Sequence, residues 1–136
     1  MGKYSFRGGV HPRGYKELSA QKPFEVFLPK GDLVFPLSQH LGKPAVPVVK
    51  KNDIVKVGQL IAKADGFISS NIHSSVSGKV KIIEPRLNNA GILGESIVIE
   101  NDGEYTPAEG VGEFSDYTTM TGKEIIDKVK EAGIVG

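Results

Sequence analysis

Apolar and polar positions alternate in short runs over residues 44–100, and Gly, Asp or Asn interrupts them about every ten residues. Ala45-Val46-Pro47-Val48-Val49 is apolar and β-branched, and Lys50-Lys51-Asn52-Asp53 follows as a polar turn. Ile54-Val55-Lys56-Val57 resumes the alternation up to Gly58, and Gln59–Ala64 reads as a further strand. Asp65-Gly66 is a turn signal because both residues tolerate the backbone torsions that tight turns need. Ile68–His73 is mixed, and Ser77-Gly78 turns the chain again. Lys79–Glu84 alternates with period two, a loop runs through Pro85, Asn88, Asn89 and Gly91, and Ser96–Glu100 gives a last strand. Upstream, Phe24–Leu28 between Pro23 and Pro29 predicts a short strand. Leu33–Leu37 predicts another, which Pro36 places at a sheet edge or a strand end. Short strands at this spacing predict an all-β barrel or sandwich.

The two ends read differently. Residues 1–22 are rich in Gly and basic side chains and predict an extended arm. Residues 101–120, with Gly103, Gly110 and Gly112, predict a linker between the β-domain (23–100) and a closing helix (121–136). Thr121 followed by Glu124 fits a capping box, because each side chain can satisfy a backbone N–H of the first turn. Ile125, Ile126, Val129 and Ala132 share one helical face, Lys128 lies one turn beyond Glu124, and Gly133 suits the C-cap.

Composition narrows the chemistry. A chain of 136 residues has room for one modest domain with trailing segments. It contains no cysteine, which excludes a disulfide scaffold, a thiolate zinc site, a cysteine nucleophile and ordinary iron–sulfur ligation. His11, His40 and His73 are far apart and show no ligand spacing, so no metal site is expected. No apolar run is long enough to span a bilayer, and Met1–Arg7 lacks the apolar stretch of a secretory signal; a cytosolic location is the expectation. Charge is uneven. Residues 1–22 carry a balance of +4 and residues 95–120 one of −7 with no Lys or Arg, within a net charge of +1. This asymmetry predicts an interaction arm and a solvated acidic segment. Arg7-Gly8-Gly9 and Arg13-Gly14 are not repeated, and the acidic segment would repel phosphate, so no nucleic-acid partner is expected.

Candidate catalytic groups do not assemble on paper. Ser74, Ser75 and Ser77 lie near His73, but a nucleophile needs a base oriented by a third group, whereas serines beside a tight turn usually satisfy the backbone. Gly8-Gly9 has no strand before it and no helix after it, so it lacks the context of a phosphate loop. Asp65, Glu84 and Glu95 show no acid–base spacing, and Phe24, Phe27 and Phe35 predict core or edge packing. No catalytic, cofactor-binding or metal-ligating residue is expected, and the chain by itself is not expected to be an enzyme.

Asn52-Asp53-Ile54-Val55-Lys56-Val57-Gly58-Gln59-Leu60-Ile61-Ala62, followed by Val76-Ser77-Gly78-Lys79-Val80, resembles the biotinyl/lipoyl carrier fold, a barrel-sandwich hybrid of two interlocked hairpins. Carriers place a lysine at a hairpin tip for the prosthetic group. The corresponding stretch here, Asp65–Asn71, has none, and Lys63 and Lys79 fall in the flanking strands.

A wider resemblance covers nearly the whole chain. Phe6–Pro12, His40–Pro44, Pro47–Val49, Val57–Ile61 and Ile72–Val80, in that order, resemble the amino-terminal region of the C subunit of Rnf electron-transport complexes. The closing helix, Glu124–Gly136, resembles the one that leads into that subunit's glycine-rich loop. The resemblance implies a truncated C subunit whose missing part binds FMN and NADH and carries two [4Fe–4S] clusters. It implies a ferredoxin:NAD oxidoreductase that moves ions across a membrane. The other Rnf subunits, and ferredoxin through the complex, would be the partners, with the subunit peripheral on the cytoplasmic side. Two further readings stay open: a carrier modified at an unusual residue, and the A subunit of a sodium-translocating NADH:quinone oxidoreductase, which shares this domain type.

Overall fold

The computed structural model describes residues 13–88 and 90–135. His11, the Gly8-Gly9 pair and the Phe6–Pro12 motif lie outside the described residues.

Among the described residues, seven strands form two antiparallel sheets. They are β1 (Asp32–Pro36), β2 (Val46–Pro47), β3 (Ile54–Val55), β4 (Leu60–Lys63), β5 (Ile72–His73), β6 (Gly78–Leu87) and β7 (Leu93–Asn101). One sheet has the order β1-β7-β6-β3 and the other β2-β4-β5. Phe35, Val55, Val80, Ile97 and Ile99 of the first sheet share a single buried cluster with Ile61, Ala62 and Ile72 of the second, so both sheets are halves of one core. Val55, Ile61, Val80, Ile97 and Ile99 are wholly excluded from solvent. Each side chain of this size contributes about 1.5–3 kcal/mol by leaving water. The expected small, mainly β barrel-sandwich hybrid forms, with one α-helix among the described residues.

Sequence and backbone agree best where the core demands it. β1 pairs with β7 from Asp32↔Glu100 to Pro36↔Ser96 and lies at the sheet edge with Pro36 as its last residue, two positions that suit a proline. Gly78 starts β6 at φ +149°, and a Cβ there would lie 2.0 Å from the Glu100 carbonyl oxygen, so the two strands meet only because this residue has no side chain.

Three expectations need correction. Phe24–Leu28 is not a strand: it is irregular backbone, and Phe24, Val26, Phe27 and Leu28 are exposed, leaving only Phe35 of the three phenylalanines in the core. Strand propensity without a neighbour to complete the hydrogen-bond ladder does not make a strand. Pro85 does not begin a loop: β6 continues through it to Leu87, because β3 pairs only with Gly78 and Lys79 and leaves the outer side of β6 free of the hydrogen bond that proline cannot give. Finally, the linker read over 101–120 starts as part of the barrel. The Val57 N–H donates to Thr106 O (2.9 Å), Ala108 N–H returns to Val57 O (2.8 Å), and Asn101 Nδ2 (2.7 Å) and the Tyr105 hydroxyl both donate to Pro29 O.

Helix α1 (Gly122–Glu131) forms as expected, with the Thr121 hydroxyl accepting from the Glu124 N–H and the Glu124 carboxylate accepting from the Thr121 N–H. It buries no residue. Among the described residues no helix is long and apolar enough to cross a membrane.

Candidate functional site

Residues 64–71 join β4 to β5 and contain the Asp65–Asn71 stretch that the sequence resemblance matches to a carrier's hairpin tip. Its shape comes from side chains turned back on the backbone. Ala64 N–H donates to Asn71 Oδ1 (2.9 Å) and Asp65 N–H to Ser69 Oγ (3.0 Å). The loop of residues 38–44 flanks it. Lys43 N–H donates to Ile68 O (2.9 Å), and Ser70 N–H donates to His40 Nε2 (3.2 Å). A backbone N–H can only donate, so His40 Nε2 is the unprotonated nitrogen; Nδ1, 3.0 Å from Leu41 O, carries the proton.

Lysines are placed as follows. Lys63 ends β4 and Lys79 lies in β6, both exposed and neither at the tip. Lys43, from the flanking loop, does reach the tip: its Nζ pairs with Asp65 Oδ2 at 2.5 Å. Sequence reasoning missed this residue because the hairpin motif contains no sign of a loop packed beside it.

On its other side the tip meets the end of α1. Asn71 Nδ2 donates to Glu131 O (3.1 Å) and Lys130 O (3.4 Å), and Ser70 Oγ donates to Gly133 O (3.0 Å). The helix closes with Gly133 at φ +71°, Gly133 N–H on Lys130 O and Ile134 N–H on Val129 O, each at 3.1 Å. Gln39, His40, Ser70, Asn71, His73 and Gly133 line a cleft of about 270 Å³ beside this contact. Around the apex Leu41, Phe67, Ile68 and Val135 leave large apolar surfaces in solvent.

Of the three serines near His73, Ser74 and Ser77 make hydrogen bonds to the backbone. Ser74 Oγ donates to Val76 O (2.6 Å), and buried Ser77 accepts from Thr106 N–H (2.9 Å) while donating to Asp102 Oδ1 (2.7 Å). That hydroxyl, with the Glu104 N–H, holds the Asp102 carboxyl below the usual carboxylate range. No group of three or more His, Asp or Glu side chains is arranged for a metal among the described residues.

Two antiparallel sheets that share one buried core, with a β4–β5 tip that has no lysine of its own, define a barrel-sandwich hybrid. The chain belongs to the RnfC barrel sandwich hybrid domain family, whose profile matches residues 4–104. It is 47% identical over 133 residues to the C subunit of the proton-translocating ferredoxin:NAD(+) oxidoreductase complex of Clostridium ljungdahlii, covering 97% of this chain and 29% of that protein. It is 38% identical to the C subunit of the Na(+)-translocating ferredoxin:NAD(+) oxidoreductase complex of Acetobacterium woodii, covering 97% of this chain and 30% of the relative. The C subunit of the ion-translocating oxidoreductase complex of Rhodobacter capsulatus is 36% identical, with 98% and 26% covered. The chain therefore spans less than a third of the length of these relatives and corresponds to their amino-terminal part.

Proposed function

We propose that this chain is the amino-terminal docking domain of the C subunit of an ion-translocating ferredoxin:NAD oxidoreductase complex, serving by shape and contact without redox chemistry of its own. The observation that carries this reading is the family match over residues 4–104 together with a β4–β5 tip that contains no lysine of its own. The cofactors implied for the subunit do not fit the residues present. The chain has no cysteine to ligate an iron–sulfur cluster. Among the described residues, α1 follows a threonine-capped turn rather than a strand and a glycine-rich loop, the arrangement that cradles a nucleotide phosphate. FMN, NADH and the clusters belong, on this reading, to the remainder of the longer subunit. The basic arm and the acidic segment contact neighbouring Rnf subunits, with the domain peripheral on the cytoplasmic face.

A pull-down of the other Rnf subunits with the chain, with and without residues 1–22, tests this. Binding that weakens on removal of the arm, and more steeply at high salt, is expected. Binding indifferent to the arm removes its role, and no binding by either form removes the docking reading. Lys43 at the tip keeps the carrier alternative open to one measurement. Intact mass from a host with active biotin and lipoate ligases should be that of the bare chain; an added biotinyl or lipoyl mass on Lys43 would establish the carrier.

A further inference from the structure

We propose that the hairpin tip is a receptor for a helix C-terminus: Asn71 and Ser70 hold the end of α1 and thereby set the direction in which the chain leaves the barrel.

The chemistry of the two surfaces matches. The last carbonyls of a helix lack their usual donors one turn on and carry the negative end of its dipole; here Lys130 O is met in part by the Gly133 N–H. The tip faces them with two donors. The carboxamide of Asn71 is oriented in advance, since its Oδ1 is taken by Ala64 N–H at 2.9 Å, which leaves Nδ2 aimed at Lys130 O and Glu131 O. The Ser70 hydroxyl, on a residue only 7% exposed, donates to Gly133 O. The helix side is fitted to the same contact: a Cβ on Gly133 would lie 2.3 Å from Asn71 O, so the approach needs glycine as much as the left-handed turn does. Apolar burial contributes modestly to the placement, since α1 has no buried residue and Ile125 and Val129 are partly covered. The tip thus presents donors to the helix end, and the barrel fixes the bearing of whatever follows α1.

Freedom from cysteine makes the chain suited to spin labelling. Exposed Lys51, on the barrel, and Lys123, at the far end of α1, are replaced by cysteine and labelled, and the distance between them is measured by pulsed electron resonance. Asn71→Asp is the decisive variant. It keeps the acceptor for Ala64 N–H and the side-chain shape, but at neutral pH turns the donor into an anion facing two carbonyls. One narrow distance distribution is expected in the parent. In Asn71→Asp the undocked population should rise roughly tenfold, visible as a broad second component. Gly133→Ala should do the same from the helix side without altering the barrel. Amide exchange at Ile97–Ile99 reports whether the barrel stays folded; if Asn71→Asp unfolds it, Gly133→Ala decides. An unchanged narrow distribution in the deciding variant overturns the proposal. The measurement reads the chain alone, so its failure leaves the docking role to stand or fall by the pull-down.

Discussion

At Gly78 a side chain has nowhere to go: the Glu100 carbonyl would be 2.0 Å from its first carbon, and both atoms belong to the paired backbones of β6 and β7. Gly78→Ala should therefore cost about 2 kcal/mol or more, combining strain at φ +149° with separation of the strands, and urea unfolding measures it. An unchanged midpoint would mean that the strands separate there at no cost. The need for glycine at this position is legible beforehand, since Ser77-Gly78 stands between two apolar runs. The partnership of Ser77 with Asp102 and Thr106 is not, because those residues meet only after β6 and β7 have paired. The same holds for Lys43 and Asp65. Absence of a lysine at the tip can be read from a sequence; arrival of one from another loop cannot.

Among the elements, α1 was the most legible and the segment before β1 the least. A capping box is a local code, written in two residues three apart. Its acid has a pH signature. Hydrogen bonds from the Thr121 N–H and hydroxyl hold the Glu124 carboxyl below the ordinary glutamate range. A carboxyl whose folded pKa is depressed adds stability that is complete above its unfolded pKa and disappears as pH falls through the folded one. The Cα shifts of Lys123–Asp127 should thus lose helical character below the ordinary glutamate range. Glu124→Gln should abolish that step, and a step that survives in Glu124→Gln would assign it elsewhere, with Asp116 the nearest candidate because Thr118 lowers its pKa in the same direction. Phe24–Leu28 shows the opposite case. Its composition is that of a strand, but only Pro29, held by Asn101 and Tyr105, is tied to the barrel.

For the molecule as a whole, the boundary of the barrel lies later than alternation suggested. Residues 101–108 close its hydrogen bonding with Val57 and Ser77, although they show almost no apolar periodicity. Truncation after residue 108 should leave the thermal midpoint of the barrel nearly unchanged. Truncation after residue 100 should lower it by several degrees, as expected when roughly 1–2 kcal/mol of buried hydrogen bonding is lost. Equal midpoints would return the segment to the linker. By itself the sequence determined the all-β class, most of the strands, the capped helix, the lack of thiolate chemistry and the family, because propensity, periodicity and composition are properties of neighbouring residues. Only the tertiary structure decided that a polar tip grips the end of α1, that an acidic segment completes the barrel and that a strand-like stretch stays unpaired. Each of these depends on which backbone donors and acceptors remain without partners once the sheets have closed, and that remainder exists only in three dimensions.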